Sequence, residues 1–157
     1  MRDYFKAKIR YVKTLDSGKL KRVTEEYLFD AVSFSDAEEK VYKHLGEFIR
    51  GEFTIVDISR NNFQEIFPYD ETEDWHKARV SYIDIDTESG REKKTTVEML
   101  VNAESPKQGF ERVTESLADM MVPFEITNVG VTKILEYYPY ESENTKEEEV
   151  LETASEH

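Results

Sequence analysis

The chain has 157 residues, 38% apolar and 35% charged, a formal net charge of −13 and no cysteine. That length and apolar content suffice to bury a core as one domain or two very small ones, and the missing cysteines exclude a disulfide framework and thiolate metal sites. Residues 1–10 alternate charged and apolar side chains without a continuous apolar run, so a signal peptide or membrane span is not expected and the chain reads as cytoplasmic.

Residues 4–14 alternate polar and apolar, the pattern of a half-buried strand. Asp16-Ser17-Gly18 supplies a turn, and residues 20–32 complete a hairpin. Ser35-Asp36-Ala37-Glu38 reads as a capping box opening a helix that presents Ala37, Val41, Leu45 and Phe48 at one-turn spacing and stops at Gly51. Residues 53–58 read as a closing strand.

The same order then returns. Tyr4-Phe5-Lys6-Ala7-Lys8-Ile9-Arg10-Tyr11 recurs 71 positions later as Trp75-His76-Lys77-Ala78-Arg79-Val80-Ser81-Tyr82. After one inserted residue in the hairpin turn, Gly18 matches Gly90, Ser33 matches Ser105 and Val41 matches Val113. The offset of 71 is restored at Phe53/Phe124 and Glu65/Glu136. Collinear matches with a single insertion in a turn establish an internal repeat. In the second copy Ser105-Pro106-Lys107-Gln108 caps a helix presenting Gly109, Val113, Leu117 and Met121, ended by Pro123, and residues 124–131 close the unit.

The fold class is therefore α+β: two tandem β-β-α-β repeats related by a pseudo-twofold, a mostly antiparallel sheet or pair of sheets, and two helices on one face. Right-handed crossovers would set each closing strand parallel to the second strand, most simply beside the first. The first repeat spans 1–67, an acidic linker 68–73, the second repeat 74–140 and a disordered acidic tail 141–157. Charge follows these divisions: 12 basic and 12 acidic groups in 1–67, 8 and 12 in 74–140, and seven glutamates against Lys146 in the tail.

Tyr4-Phe5-Lys6-Ala7-Lys8, Thr24-Glu25-Glu26-Tyr27-Leu28, Gly51-Glu52-Phe53 and Trp75-His76-Lys77-Ala78 resemble a family of gut-anaerobe bacterial and phage proteins, a domain of unknown function with a duplicated unit. The resemblance covers residues 4 to about 140. It implies a bacterial or phage intracellular setting and no catalytic residue.

Catalytic and metal motifs are missing. His44, His76 and His157 have no ligand spacing among them, and His44 reads as a packing residue on a helix. Asp84-Ile85-Asp86-Thr87-Glu88-Ser89-Gly90 lacks the sixth-position glycine and twelfth-position glutamate of a calcium loop and reads as a hairpin tip. No catalytic residue, metal or cofactor is expected, and the chain reads as a non-enzymatic binding protein.

The first hairpin is basic: residues 1–24 carry eight cations against Asp3 and Asp16. Strand alternation sets Tyr4, Lys6, Lys8 and Arg10 on one face, and Trp75, Lys77 and Arg79 repeat the arrangement. With Lys21 and Lys93, these residues form a candidate single-stranded nucleic-acid surface, Tyr4 and Trp75 stacking on bases while the cations meet phosphates. The ordinary alternative is a solvent face whose long cationic stems cover the sheet. The competing function is a protein–protein adaptor or inhibitor, an acidic nucleic-acid mimic docking through a sheet face, a sheet edge or the acidic tail. Val12, Ile83, Leu28 and Leu100 would support a homodimer.

Overall fold

A computed structural model describes residues 3–70 and 72–140. The acidic tail 141–157 lies outside them. Strands β1 (Asp3–Thr14) and β2 (Leu20–Ala31) form a hairpin, followed by helix α1 (Phe34–Leu45), β3 (Phe53–Asn61) and β4 (Phe63–Phe67). The order then repeats as β5 (Asp74–Ile85), β6 (Glu92–Ala103), α2 (Pro106–Ser116), β7 (Phe124–Val131) and β8 (Ile134–Tyr138). The hairpin turns use Gly18 at φ 84° and Gly90 at φ 70°, a backbone region that disfavours other residues. No helix among the described residues is long and apolar enough to cross a membrane.

The strands make two four-stranded sheets, ordered β3-β1-β2-β8 and β4-β6-β5-β7. β3 lies antiparallel beside β1 and therefore parallel to β2, so the connection through α1 is a crossover; β7 has the same relation to β5 and β6. Each repeat also has a fourth strand that the sequence reading omitted, and these two strands change places. β4 pairs in parallel with β6 of the second repeat, and β8 pairs in parallel with β2 of the first. Only Asn62 separates β3 from β4, so the chain leaves one sheet and enters the other within a single residue.

Strand alternation gives each sheet two unlike faces. Ala7, Ile9, Tyr27 and Phe29 of the first sheet pack under Val41 and Leu45 of α1. Ala78, Val80, Met99 and Val101 of the second pack under Val113 of α2. The helix-free faces meet through Leu28, Leu100, Trp75, Phe63 and Ile134, with Tyr4, Ile66 and Tyr137 packed against them. The layers thus run helix, sheet, sheet, helix. Leu28 and Leu100 are fully buried in this seam, each contributing roughly 1.5–3 kcal/mol of apolar transfer. They are consumed inside the chain and present no surface for dimerisation, while Val12 and Ile83 stay exposed.

Several helix details correct the sequence reading. The N-cap of α1 is Ser33, not Ser35: its hydroxyl accepts from Asp36 N at 3.1 Å, and Asp36 Oδ2 accepts from Val32 N at 3.0 Å. The box is therefore Ser33 with Asp36, matching Ser105 with Gln108 in α2. Both helices end about a turn early, α1 at Leu45 with Gly46 as its cap. Gly51 instead adopts φ 95° before β3, and Phe48 and Met121 are exposed and lie beyond the helices. Gly109 marks a close approach of α2 to its sheet, since a Cβ there would sit 3.1 Å from Val129 Cγ1. His44 packs as expected, its ring stacked on Tyr138 at 4.6 Å.

Candidate functional site

Where the two helix-free faces diverge from their apolar seam, a cleft of about 780 Å³ opens. Lys6 and Glu26 line it from the first sheet, and Lys77, Arg79 and Glu98 from the second. Its rim is the β7 edge with the β7–β8 turn, including Lys133.

Each pair of cations shares one glutamate. Lys6 Nζ and Lys8 Nζ stand 3.9 and 4.0 Å from Glu26 Oε1; Lys77 Nζ and Arg79 Nη2 stand 3.7 and 4.0 Å from Glu98 Oε1. The register explains the sharing: Lys8 lies directly opposite Glu26 and Arg79 opposite Glu98, with Lys6 and Lys77 one pleat away on the same face. Both edge strands carry a bulge beside the second cation, at Lys8/Ile9 and at Arg79/Val80, which strengthens the local twist. At these separations and partial exposures the pairs are loose contacts worth little individually.

The proposed stacking residues do not reach this surface. Trp75 is 4% exposed and Tyr4 half-buried, both held in the seam between the sheets. Tyr4 meets Phe63 and Tyr137 at ring-centroid distances of 6.4 and 6.2 Å, and Trp75 meets Tyr137 edge-on at 6.0 Å. The partner sheet, joined through the exchanged strands, covers the Tyr4 and Trp75 end of the face that the alternation pattern left bare. Lys21 and Lys93 also fall apart from the set. Their strand parity matches Tyr27 and Met99 on the helix side, and both are exposed near the hairpin tips. Lys6, Lys77 and Arg79 are therefore brought together, with Lys8 and Arg10 continuing the row along β1.

Beyond Lys8 the row leads into a second depression of about 590 Å³, lined by Arg10, Arg22, Arg50 and Glu52 among others. The three arginines are exposed and make no ion pair among the described residues. Tyr11, at the edge of this depression, donates to Glu25 Oε1 at 2.7 Å, and Tyr27 donates to Glu25 Oε2 at 2.5 Å. Burial, then the Glu25 hydrogen bond and charge, push the Tyr11 phenol up to about 12 and that of Tyr27 further upward.

The sequence reading missed Glu26, Glu98, Lys133, Arg22 and Arg50 as parts of these two sites. Glu26 and Glu98 were accessible through hairpin register once Gly18 and Gly90 fixed the turns. Lys133 and Arg50 sit in connections whose position depends on long-range topology. The Asp86 carboxylate is committed to its own turn, accepting from Glu88 N at 2.9 Å, which lowers its pKa.

No curated protein and no solved structure matches the chain. Residues 3–140, the whole two-sheet unit, match one family, and the chain belongs to it: Domain of unknown function (DUF4494).

Proposed function

We propose that this is a non-enzymatic protein that holds a single strand of nucleic acid along β1 and within the cleft between the sheets. The observation that carries the reading is the cationic row Lys6, Lys8 and Arg10 on alternate residues of one strand, whose first member, Lys6, shares the cleft with Lys77 and Arg79. Alternate residues of a strand repeat at about 6.6 Å, a spacing that suits successive phosphates of an extended chain. Affinity then comes from phosphate contacts with little base stacking, because Tyr4 and Trp75 are engaged in the seam. The net positive cleft offsets an acidic remainder, so binding is confined to this surface.

Fluorescence anisotropy of labelled oligo-dT tests it. The intact chain should bind at low salt, with affinity falling linearly on a log–log salt plot, and Lys77→Ala/Arg79→Ala should weaken binding and reduce the slope by about one to two. No anisotropy change at low salt would discard the reading.

The open outer edges of β3 and β7, nine and eight residues long, favour a second reading as a protein adaptor. A partner strand could extend either sheet there. A single stoichiometric partner, recovered after nuclease treatment and lost on placing proline in β7, would support it over the first.

A further inference from the structure

The internal repeat provides its own control for which side chains the fold requires. The depression holding Arg10, Arg22 and Arg50 has a counterpart in the second repeat, a smaller one of about 210 Å³ lined by Ser81, Tyr82, Ile83, Lys94, Pro123, Phe124 and Glu125. Tyr82 and Ile83 stand where Tyr11 and Val12 stand. Arg10 is replaced by Ser81, Arg22 by Lys94, and Arg50 by the stretch 121–122, Met-Val. Ser81 is buried, its hydroxyl 3.0 Å from Thr96 Oγ1. One scaffold position is thus built twice, once with three arginines against Glu52 and once with a single lysine, Lys94, against Glu125. The fold does not require the arginines, since the second repeat closes without them.

We infer that Arg10, Arg22 and Arg50 form a site for a terminal phosphate, the dianionic monoester at the end of the bound strand; the identity of the strand rests on the function proposed above. Arg10 lies opposite Thr24, so Arg22 is its diagonal neighbour on β2 at about 7–8 Å between Cα atoms. Arg50 joins them from the turn entering β3, where Thr54 pairs with Arg10. Guanidinium groups present forked donors that match phosphate oxygens, and they hold their charge at any relevant pH. The lysine row suits singly charged diesters, each meeting one cation. Three arginines around one depression, with no ion pair among the described residues, exceed what a diester uses and match the additional charge and oxygen of a monoester. Lys6, Lys8, Lys77 and Arg79 are partly neutralised by Glu26 and Glu98, whereas among the described residues Glu52 is the one carboxylate that lines the arginine depression.

The test uses the full chain with oligo-dT carrying a 3′ fluorophore and either a 5′ phosphate or a 5′ hydroxyl. Wild type should bind the phosphorylated strand about tenfold more tightly, the size expected for charge-assisted hydrogen bonds at one group. Arg22→Ala and Arg50→Ala should bring the two strands to equal affinity, Arg50→Lys should restore part of the difference, and Lys94→Ala in the second repeat should leave it intact. Circular dichroism of each variant establishes that the exposed substitutions leave the fold in place. Equal binding of both strands by wild type, or a preference that survives Arg22→Ala and Arg50→Ala, would overturn the terminal-phosphate site while leaving strand binding standing. Binding of neither strand would remove both.

Discussion

Trp75 on β5 lies edge-on to Tyr137 on β8, ring centroids 6.0 Å apart at 86°. The contact joins a central strand of one sheet to a strand of the other, and Tyr4 closes on the same Tyr137 ring from β1. Trp75 is therefore a keystone of the seam. Trp75→Ala should destabilise the protein by about 3–5 kcal/mol, read as a lowered urea midpoint, with Trp75→Phe costing appreciably less. Its emission in the native state should be blue-shifted and resist acrylamide quenching. A small stability change together with water-like emission would contradict the buried position.

Glu26 and Glu98 occupy the cations that a phosphate chain would need. Glu26→Gln and Glu98→Gln each leave the fold's apolar contacts untouched and free two cations. Each should tighten oligo-dT binding by about two- to fivefold, the range that partly exposed ion pairs of 0.2–1 kcal/mol permit. The double substitution should also steepen the salt dependence, because more counterions are released on binding. Anisotropy titrations at several salt concentrations measure both. Weaker binding in the variants would mean that the glutamates contact the ligand directly.

Six of the eight strands, the hairpin turns and the second helix cap were legible from local pattern, since alternation, glycine turns and Ser105 with Gln108 act within a few residues. The cap of α1 was misplaced because Ser35 lies near Ser33 and both precede acidic residues; the match to Ser105 points to Ser33. Alternation also put Tyr4, Lys6, Lys8 and Arg10 on one face of β1. What covers that face was not legible. The answer depends on Phe63–Phe67 and Ile134–Tyr138, five-residue strands whose sequences do not specify which sheet they join. Once they cross, the outer pleats of the row remain open and Trp75 and Tyr4 are enclosed.

Tyr11 and Tyr27 share the Glu25 carboxylate, and burial is the larger reason that their phenols resist ionisation. A phenol whose folded pKa is raised contributes stability below its unfolded value of about 10, and that contribution is lost as pH rises through the folded value. Stability should accordingly be flat from neutral pH to about 10 and decline toward about 12, the value for Tyr11. Glu25→Gln should lower the Tyr11 midpoint only in part, because desolvation remains. Ultraviolet difference titration of phenolate absorbance, compared with Tyr11→Phe, reads the shift. A Tyr11 midpoint unmoved by Glu25→Gln would remove the carboxylate from the account.

The exchange of β4 and β8 makes each sheet incomplete without the other repeat. β8 pairs with Tyr27, Leu28 and Phe29 in the C-terminal half of β2, and β4 pairs with Met99, Leu100 and Val101 in the equivalent part of β6. Phe63 and Ile134, at the starts of these strands, are both buried in the seam. Unfolding one repeat would strip an edge strand from the other sheet and expose the helix-free faces of both. Two sequence repeats should therefore unfold as one cooperative unit, with Trp75 fluorescence and far-ultraviolet circular dichroism tracing a single superimposable transition in urea. Ile134→Ala, placed in one repeat, should lower the midpoint by both probes equally, at a cost of about 2–5 kcal/mol. Two separated transitions, or a midpoint shift seen by only one probe, would mean that the repeats are stable apart and that the exchanged strands contribute little to either.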